Sequence, residues 1–215
     1  MKATFNVKII DITGKKGYNE YLYKCLAPMP FRKYKYRQEY LEKAVPRRLR
    51  KKLLIVDGAV VGTIEYGPAE SCGYPISGEH VIVMNCVWVL RKAKMHGFGR
   101  LLVEHMVRSE RNADGFASIA LENHWSPWFR KDQIERLGFR SVDSIDVVHK
   151  TKRRGHIFKV HLMWMPTAER AKAPNWDKQE LLHGETFCMA HPLYRPQKWK
   201  GKILEAKQKG LAGLN

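Results

Sequence analysis

Lys94-Met95-His96-Gly97-Phe98-Gly99-Arg100 lies between an apolar, strand-like run, His80 to Leu90, and an amphipathic, helix-like run, Gly99 to Arg111. A strand that turns through closely spaced glycines into a helix gathers several unpaired backbone N–H groups at one place. The helix dipole adds partial positive charge there. Gly97 and Gly99 permit positive φ and carry no side chain to hold a ligand off the backbone. Lys94 and Arg100 flank the turn with countercharge. The turn is an expected anion site, suited to phosphate or pyrophosphate.

Working outward, Phe5 to Ile12 alternates like a first strand, and Tyr18 to Cys25 is a short helix candidate. After Pro28 and Pro30, Phe31 to Leu49 is expected to be helix, or helix plus loop, interrupted at Pro46. Leu53 to Val56 and Ala59 to Tyr66 flank Asp57-Gly58, a pair that favours a tight primed hairpin turn. Gly67 to Gly78 has loop composition. His80 to Leu90 is nearly continuous in apolar character, so it is expected to be central and covered on both faces.

Past the glycine turn, Leu101, Leu102, His105 and Met106 form one stripe of a helix packed on a sheet. Phe116 to Leu121 is a short buried strand. Ser126-Pro127 reads as a helix start, the helix running to about Leu137 with Gly138 as its C-cap. Ser141 to Val148 and His156 to Trp164 read as an antiparallel pair joined by the basic turn Lys150 to Gly155. Beyond Pro166 the pattern weakens: a short helix within Thr167 to Gly184, a strand within Glu185 to Pro192, and a basic, helix-compatible Trp199 to Leu214. A core of 1–165 with an extension of 166–215 is the expected organisation.

At 215 residues and 44% hydrophobic, the chain can bury one sizeable core. No apolar run approaches the roughly 20 residues of a membrane helix, and the first residues lack the apolar block of a signal peptide. The expectation is a cytoplasmic protein without membrane contact, monomeric or homodimeric. Cys25, Cys72, Cys86 and Cys188 are widely spaced and are expected to be reduced thiols. The formal charge of +18 points to a polyanionic neighbourhood, nucleic acid or the ribosome among them, or else to a lysine-rich solvated surface.

Two segments carry a family likeness. Val87-Trp88-Val89-Leu90-Arg91-Lys92-Ala93-Lys94-Met95-His96-Gly97-Phe98-Gly99-Arg100-Leu101-Leu102 resembles the cofactor motif of the GNAT superfamily of N-acetyltransferases, a strand followed by Q/R-x-x-G-x-G/A and an apolar helix. Lys94 stands where Gln or Arg is usual, keeping a donor but losing the planar fork of Arg. Ile134-Glu135-Arg136-Leu137-Gly138-Phe139 is similar to that family's Y-E-K-L-G-F helix ending. The resemblance is close over about 80–140, follows element order elsewhere, and does not extend to 166–215. Dinucleotide and P-loop motifs fit worse: the first wants Gly where Leu102 stands, and the second wants a Gly-Lys-Ser/Thr that does not occur.

The resemblance implies an α+β, GNAT-like fold: a central mixed, largely antiparallel twisted sheet flanked by helices, here with a C-terminal extension. It implies acetyl-CoA as co-substrate, no metal, and direct acetyl transfer to an unidentified amine in a ternary complex. Lys94, Met95, His96, Gly97, Phe98, Gly99 and Arg100 would hold the pyrophosphate. The backbone of Val87, Trp88 and Val89 would pair with the pantetheine arm where the central strands splay, and Asn123 would bond the arm as well. The family's usual proton donor to the thiolate is a Tyr at the position of Ile134, which cannot donate. Tyr66, Tyr74, Cys86 and Tyr194 are candidates to replace it. Glu65, Glu79 and Glu122 are candidate bases at strand ends, with Glu79 and Glu122 taken as the catalytic pair; a solvated strand-end carboxylate is the plainer reading of each.

Trp125, Trp128 and Phe129 would wall the acyl pocket, stack on adenine, or cap the core. Cys188 and His191, with Cys72 or His183, lack the close-spaced ligand pair of a zinc site. Phe31 to Lys52 interleaves aromatic and basic residues, which suits RNA or, in this fold, an acceptor site. The alternative function is a catalytically weak GNAT-fold protein that binds RNA or ribosome through its basic surface.

Overall fold

The structure is a computed structural model that describes residues 5–23, 26, 35–125, 128–150, 153, 155–183 and 204–207. In chain order its elements are β1 (Val7–Asp11), α1 (Asn19–Tyr23), α2 (Lys35–Ala44), β2 (Arg50–Val56), β3 (Ala59–Pro68), β4 (Ile76–Ser77), β5 (Val81–Val89) and α3 (Phe98–Ser109). They continue with β6 (Gly115–Glu122), α4 (Lys131–Glu135), β7 (Arg140–His149), β8 (Ile157–Pro166), β9 (Asn175–Trp176), α5 (Lys178–Leu181) and β10 (Leu204–Ala206). Eight strands form one sheet in the order β1-β2-β3-β5-β6-β8-β7-β10. Only β5 and β6 run parallel, so the sheet is mixed and largely antiparallel, as expected.

Local chemistry accounts for the hairpin that anchors one half of this sheet. Asp57 and Gly58 take φ of 49° and 79°, the two positive values of a primed turn, and β2 pairs with β3 on either side. Helix α3 buries Phe98, Leu102, Val103 and Met106 against β3 and β5. Its buried face is thus rotated from the expected stripe, and His105 turns aside to meet Lys52 (Nζ to Nδ1 3.3 Å). Gly62 permits the close approach: a Cβ there would stand 3.1 Å from the Trp88 carbonyl oxygen and 3.3 Å from Leu102.

Three expected elements differ. The helix expected from 126 to about 137 is only α4, residues 126–127 lying outside the described residues. Phe129 (φ 45°) accepts a hydrogen bond from the Leu121 amide (2.7 Å), and Arg130 bridges to Leu121, so these residues run along β6 instead of coiling. Gly138 does end the segment, with φ 101°. Within Trp199 to Leu214, residues 204–206 are a strand on β7, not a helix, with Leu204 fully buried. The open edge of β7 offers unpaired N–H and C=O groups, which β10 satisfies. Ile76 and Ser77, expected in a loop, pair with Trp176 and Asn175, tying the segment after Pro166 back to the core.

Candidate active site

The site begins where β5 and β6 part. Their pairing covers only Val81–Val83 against Gly115–Ala117, although β5 continues to Val89 and β6 to Glu122. On its other side β5 stays paired with β3 as far as Val89. One edge of the second half of β5 therefore faces a wedge. The expected covering of β5 on both faces holds for Val81 to Asn85, while Cys86 to Val89 are partly exposed.

A cleft of about 460 Å³ fills this region, lined by Val87, Trp88 and Val89, by the turn at Lys94, Met95, Gly97, Phe98, Gly99 and Arg100, and by Trp128, Phe129 and α4 with its C-terminal turn. Gly97, at φ 73°, is the N-cap of α3. A Cβ built on it meets nothing within 4 Å, so the space above the turn is open. The first intrahelical bond runs from Leu101 N to Gly97 O (3.0 Å). Among the described residues, no backbone acceptor is bonded to the amides of residues 95–100. That is a cradle for an anion on the end of a 12-residue helix.

Sequence reasoning did not single out Gln133, Arg136 and Leu137 as cleft residues. The signal was present in the Ile134-to-Phe139 segment, whose helix lies against the glycine turn: Arg100 Nη2 donates to the Arg136 carbonyl (3.4 Å). Ile134, 2% exposed, lines the cleft where the family's Tyr would stand. Trp128 and Phe129 stack at 4.3 Å and wall the cleft. Trp125 does not join them; it packs against His124 (3.9 Å) and lies under the Arg153 guanidinium (5.3 Å).

Other expected residues lie apart. The ring of His96 is outside the cleft lining and contacts Phe5. Asn123, at φ 58°, lines a second cavity of about 400 Å³ with Glu122, Lys131 and Asp132, and its carbonyl faces His156 Nε2 (2.5 Å). Phe129 lines the wedge and its neighbour Arg130 lines this second cavity. Glu79 is exposed in the turn that precedes β5, at the opposite end of that strand from the glycine turn; Val81 to Val87 alone spans about 20 Å at ordinary strand rise.

Two carboxylates are spoken for. Glu65 is buried and accepts both guanidinium nitrogens of Arg37, Nη1 at 3.2 Å and Nη2 in a shorter contact; Arg37 also donates to the Leu22 carbonyl (3.1 and 3.2 Å). Glu122 receives His161 Nε2 at 3.2 Å and Lys131 Nζ at 3.6 Å, and Ser141 donates to the ring's other nitrogen at 2.8 Å. Burial pushes the Glu122 carboxyl upward, but the His161 hydrogen bond and the charges of His161, Lys131 and Lys159 outweigh it and hold the group below its usual value. Burial holds His161 below the usual imidazole value despite Glu122. The Glu122 carboxylate can only accept, so in this pair Nε2 carries a proton.

The candidate proton donors differ in their surroundings. Burial raises Tyr66 well above the usual phenol value, and Tyr74 donates to the Asn85 carbonyl (3.0 Å). Cys86 lies on β5 one residue before the cleft, partly exposed, while Tyr194 falls outside the described residues. Cys72 is partly buried, donates to the Gly67 and Val83 carbonyls (3.3 and 3.4 Å), and has its thiol pushed up by desolvation. Cys188 and His191 lie outside the described residues, and no metal-binding group occurs among the described ones. No described helix is long and apolar enough to cross a membrane.

Strand order, wedge and glycine turn together define the acyl-CoA N-acyltransferase architecture, and the chain has the fold of the GNAT superfamily. No protein-family model matches the sequence, and no curated protein is similar to it. Among solved structures, it is similar to a GNAT-family protein from Desulfovibrio desulfuricans at 14% identity, over 75% of this chain and 99% of that one, with a TM-score of 0.52. A Bacillus subtilis acetyltransferase in complex with CoA gives 14% identity, 76% and 100% coverage, and 0.51. The ribosomal-protein-S18-alanine N-acetyltransferase of Escherichia coli gives 13%, 79% and 99%, and 0.50.

Proposed function

We propose that the protein is an acetyl-CoA-dependent N-acetyltransferase that joins donor and amine in one complex and transfers the acetyl group directly. One observation carries the reading: the wedge between β5 and β6 opens onto an anion cradle whose amides 95–100 have no backbone partner among the described residues. The donor supplies an activated acyl thioester. Amides of residues 95–100, with Lys94 and Arg100 beside them, would bind its pyrophosphate, and the open edge of Val87–Val89 would align its amide-bearing arm as an added strand does. Trp128, Phe129 and Ile134 exclude water from the wedge.

Among the described cleft residues there is no carboxylate, histidine or tyrosine. On this reading Glu122 and Glu79 do not touch the reacting atoms, and positioning of the neutral amine against the thioester supplies the acceleration. Acetyl-CoA should raise the melting temperature of the protein, and a panel of amines should release free CoA. If acetyl-CoA leaves the melting temperature unmoved, the donor assignment fails.

A second reading, binding of RNA or ribosome through the basic surface, is favoured by the Arg153–Trp125 stack beside the basic turn and by the charge of +18. Filter binding to RNA at two salt concentrations tests it, since phosphate contacts make affinity fall steeply with salt.

A further inference from the structure

One edge of the eight-stranded sheet is β1, which pairs with β2 alone. The Asn6 carbonyl accepts from the Asp57 amide (2.9 Å), and the Ile12 amide donates to the Lys51 carbonyl (3.0 Å). Antiparallel pairing alternates along a strand, so residues 6, 8, 10 and 12 turn their N–H and C=O groups toward β2. Val7, Ile9 and Asp11 turn theirs outward. No backbone group among the described residues is bonded to them there. At the other side of the sheet β10 covers the edge of β7; β1 has no such cover among the described residues.

The two faces of this edge differ in character. On the α3 side Phe5 and Val7 are 37% and 38% exposed, and Ile9 is half-buried against the main core. On the opposite side Ile10 and Ile12 are buried with Leu41, while Lys8 is exposed. Lys15 and Lys16, also exposed, follow in the turn. Asp11, the acid of the strand, is held by the Thr13 amide (2.8 Å). The edge thus offers outward backbone groups, an apolar stripe on one face and exposed cations on the other.

An edge of this kind takes another strand. Lysine on an edge guards against self-pairing, and here Lys8 guards against a second copy: its twin would come to the same edge, and every chain brings a charge of +18. Nucleic acid has no ladder of N–H and C=O groups to match. We propose that the outer edge of β1 is a docking strand for an extended, acidic segment of a partner protein, one whose residues alternate apolar and acidic. Its backbone would pair with Val7, Ile9 and Asp11, its apolar side chains would cover Phe5 and Val7, and its carboxylates would meet Lys8 and the lysines after it. In the order β1-β2-β3-β5 the edge lies three strands from the wedge, about 14 Å at ordinary strand spacing. A partner docked there is held beside the cleft, not in it.

Fluorescence anisotropy of the full chain with a labelled, end-blocked hexapeptide of alternating Glu and Val tests this. A peptide of the same composition, with all its Glu before all its Val, is the control. The wild type should bind the alternating peptide at least about tenfold more tightly than the control. Val7→Pro removes an outward N–H and leaves the pairing with β2 alone, so it should weaken the alternating peptide by about tenfold and keep the melting temperature. Val7→Ala, which keeps that N–H, should stay within about threefold. Lys8→Glu, at an exposed position, should weaken the peptide roughly tenfold and favour an analogue with Lys in place of Glu. It reads the same edge should the proline variant fail to fold. Equal binding of the two Glu peptides, or full binding by folded Val7→Pro, means that charge alone attracts them and overturns the strand pairing. So does a wild-type dimer in sedimentation that Val7→Pro converts to monomer, since a second copy would then own the edge.

Discussion

The glycine turn and the Arg37–Glu65 pair both gather polar groups, and they differ in what those groups are bonded to. At the turn, amides 95–100 have no backbone acceptor among the described residues, and a Cβ on Gly97 would meet open space. At the pair, both guanidinium nitrogens reach Glu65, the Leu22 carbonyl is taken by Arg37 and Lys51, and the side chains are 1% and 4% exposed. A binding site keeps its donors for a ligand. A structural cluster consumes them internally, and that makes Glu65 an anchor for α2 on β3, not a base.

The strongest way to break this comparison is Arg37→Ala. Removing the guanidinium takes the bidentate cation away from a buried carboxylate, which costs about 3–5 kcal/mol. Chemical denaturation should show that loss. A loss under about 1 kcal/mol would mean that Glu65 is solvated and available for chemistry after all.

Next comes Gly97→Val. The position has left-handed φ, which a β-branched residue adopts badly, and the side chain would project into the space proposed for the pyrophosphate. Acetyl-CoA affinity should fall by at least about 100-fold, roughly 2.7 kcal/mol, and the ligand-induced rise in melting temperature should vanish. Retention of that rise in a folded variant would remove the cradle from the donor site.

A third test moves to the closed end of the wedge, where β5 and β6 remain paired. A Cβ on Gly115 would lie 2.3 Å from the Trp164 ring, which is 1% exposed, and 2.8 Å from the Met165 carbonyl oxygen. Gly115→Ala must push a buried indole or the backbone aside, at a cost of about 1–3 kcal/mol. Thermal unfolding would register it, and a neutral result would show slack where the wedge is hinged.

The two regions also differ in how far the sequence disclosed them. The glycine turn is local: strand, spaced glycines and apolar helix lie within about 30 consecutive residues, so its chemistry can be read in one window. Arg37 and Glu65 are 28 residues apart and meet only because α2 crosses β3. Nothing in either neighbourhood announces the other. The same holds for Glu122, whose partners Lys131 and His161 arrive from two further elements, with Ser141 held behind the His161 ring from a third. Glu79 misled for a related reason: its closeness to β5 in sequence says nothing about which end of the strand carries the cleft. Residues 129–130 escaped the helical reading because pairing with β6 satisfied their backbone better than a longer α4.

The smallest effect expected is that of pH on the Glu122–His161 pair, and its sign separates a structural pair from a catalytic one. His161 is held below its unfolded value, so the unfolded chain takes up a proton first as pH falls through about 6.5. That contribution to stability is lost from there downward. Glu122 is also held low, so its contribution is full above the unfolded carboxylate value, about 4.3, and declines as pH drops through the lower folded one. Glu122 is partly exposed and screened, so Glu122→Gln should cost under about 1 kcal/mol at pH 7. Unfolding measured from pH 7 downward should show the variant converging on the wild type only below about pH 4, as the Glu122 carboxylate takes up its proton. Acetyl transfer by the variant should keep both its rate and its pH profile. A collapse of the rate at pH 7 with unchanged stability would return Glu122 to the reacting centre and make the second cavity, not the wedge, the place where the amine loses its proton.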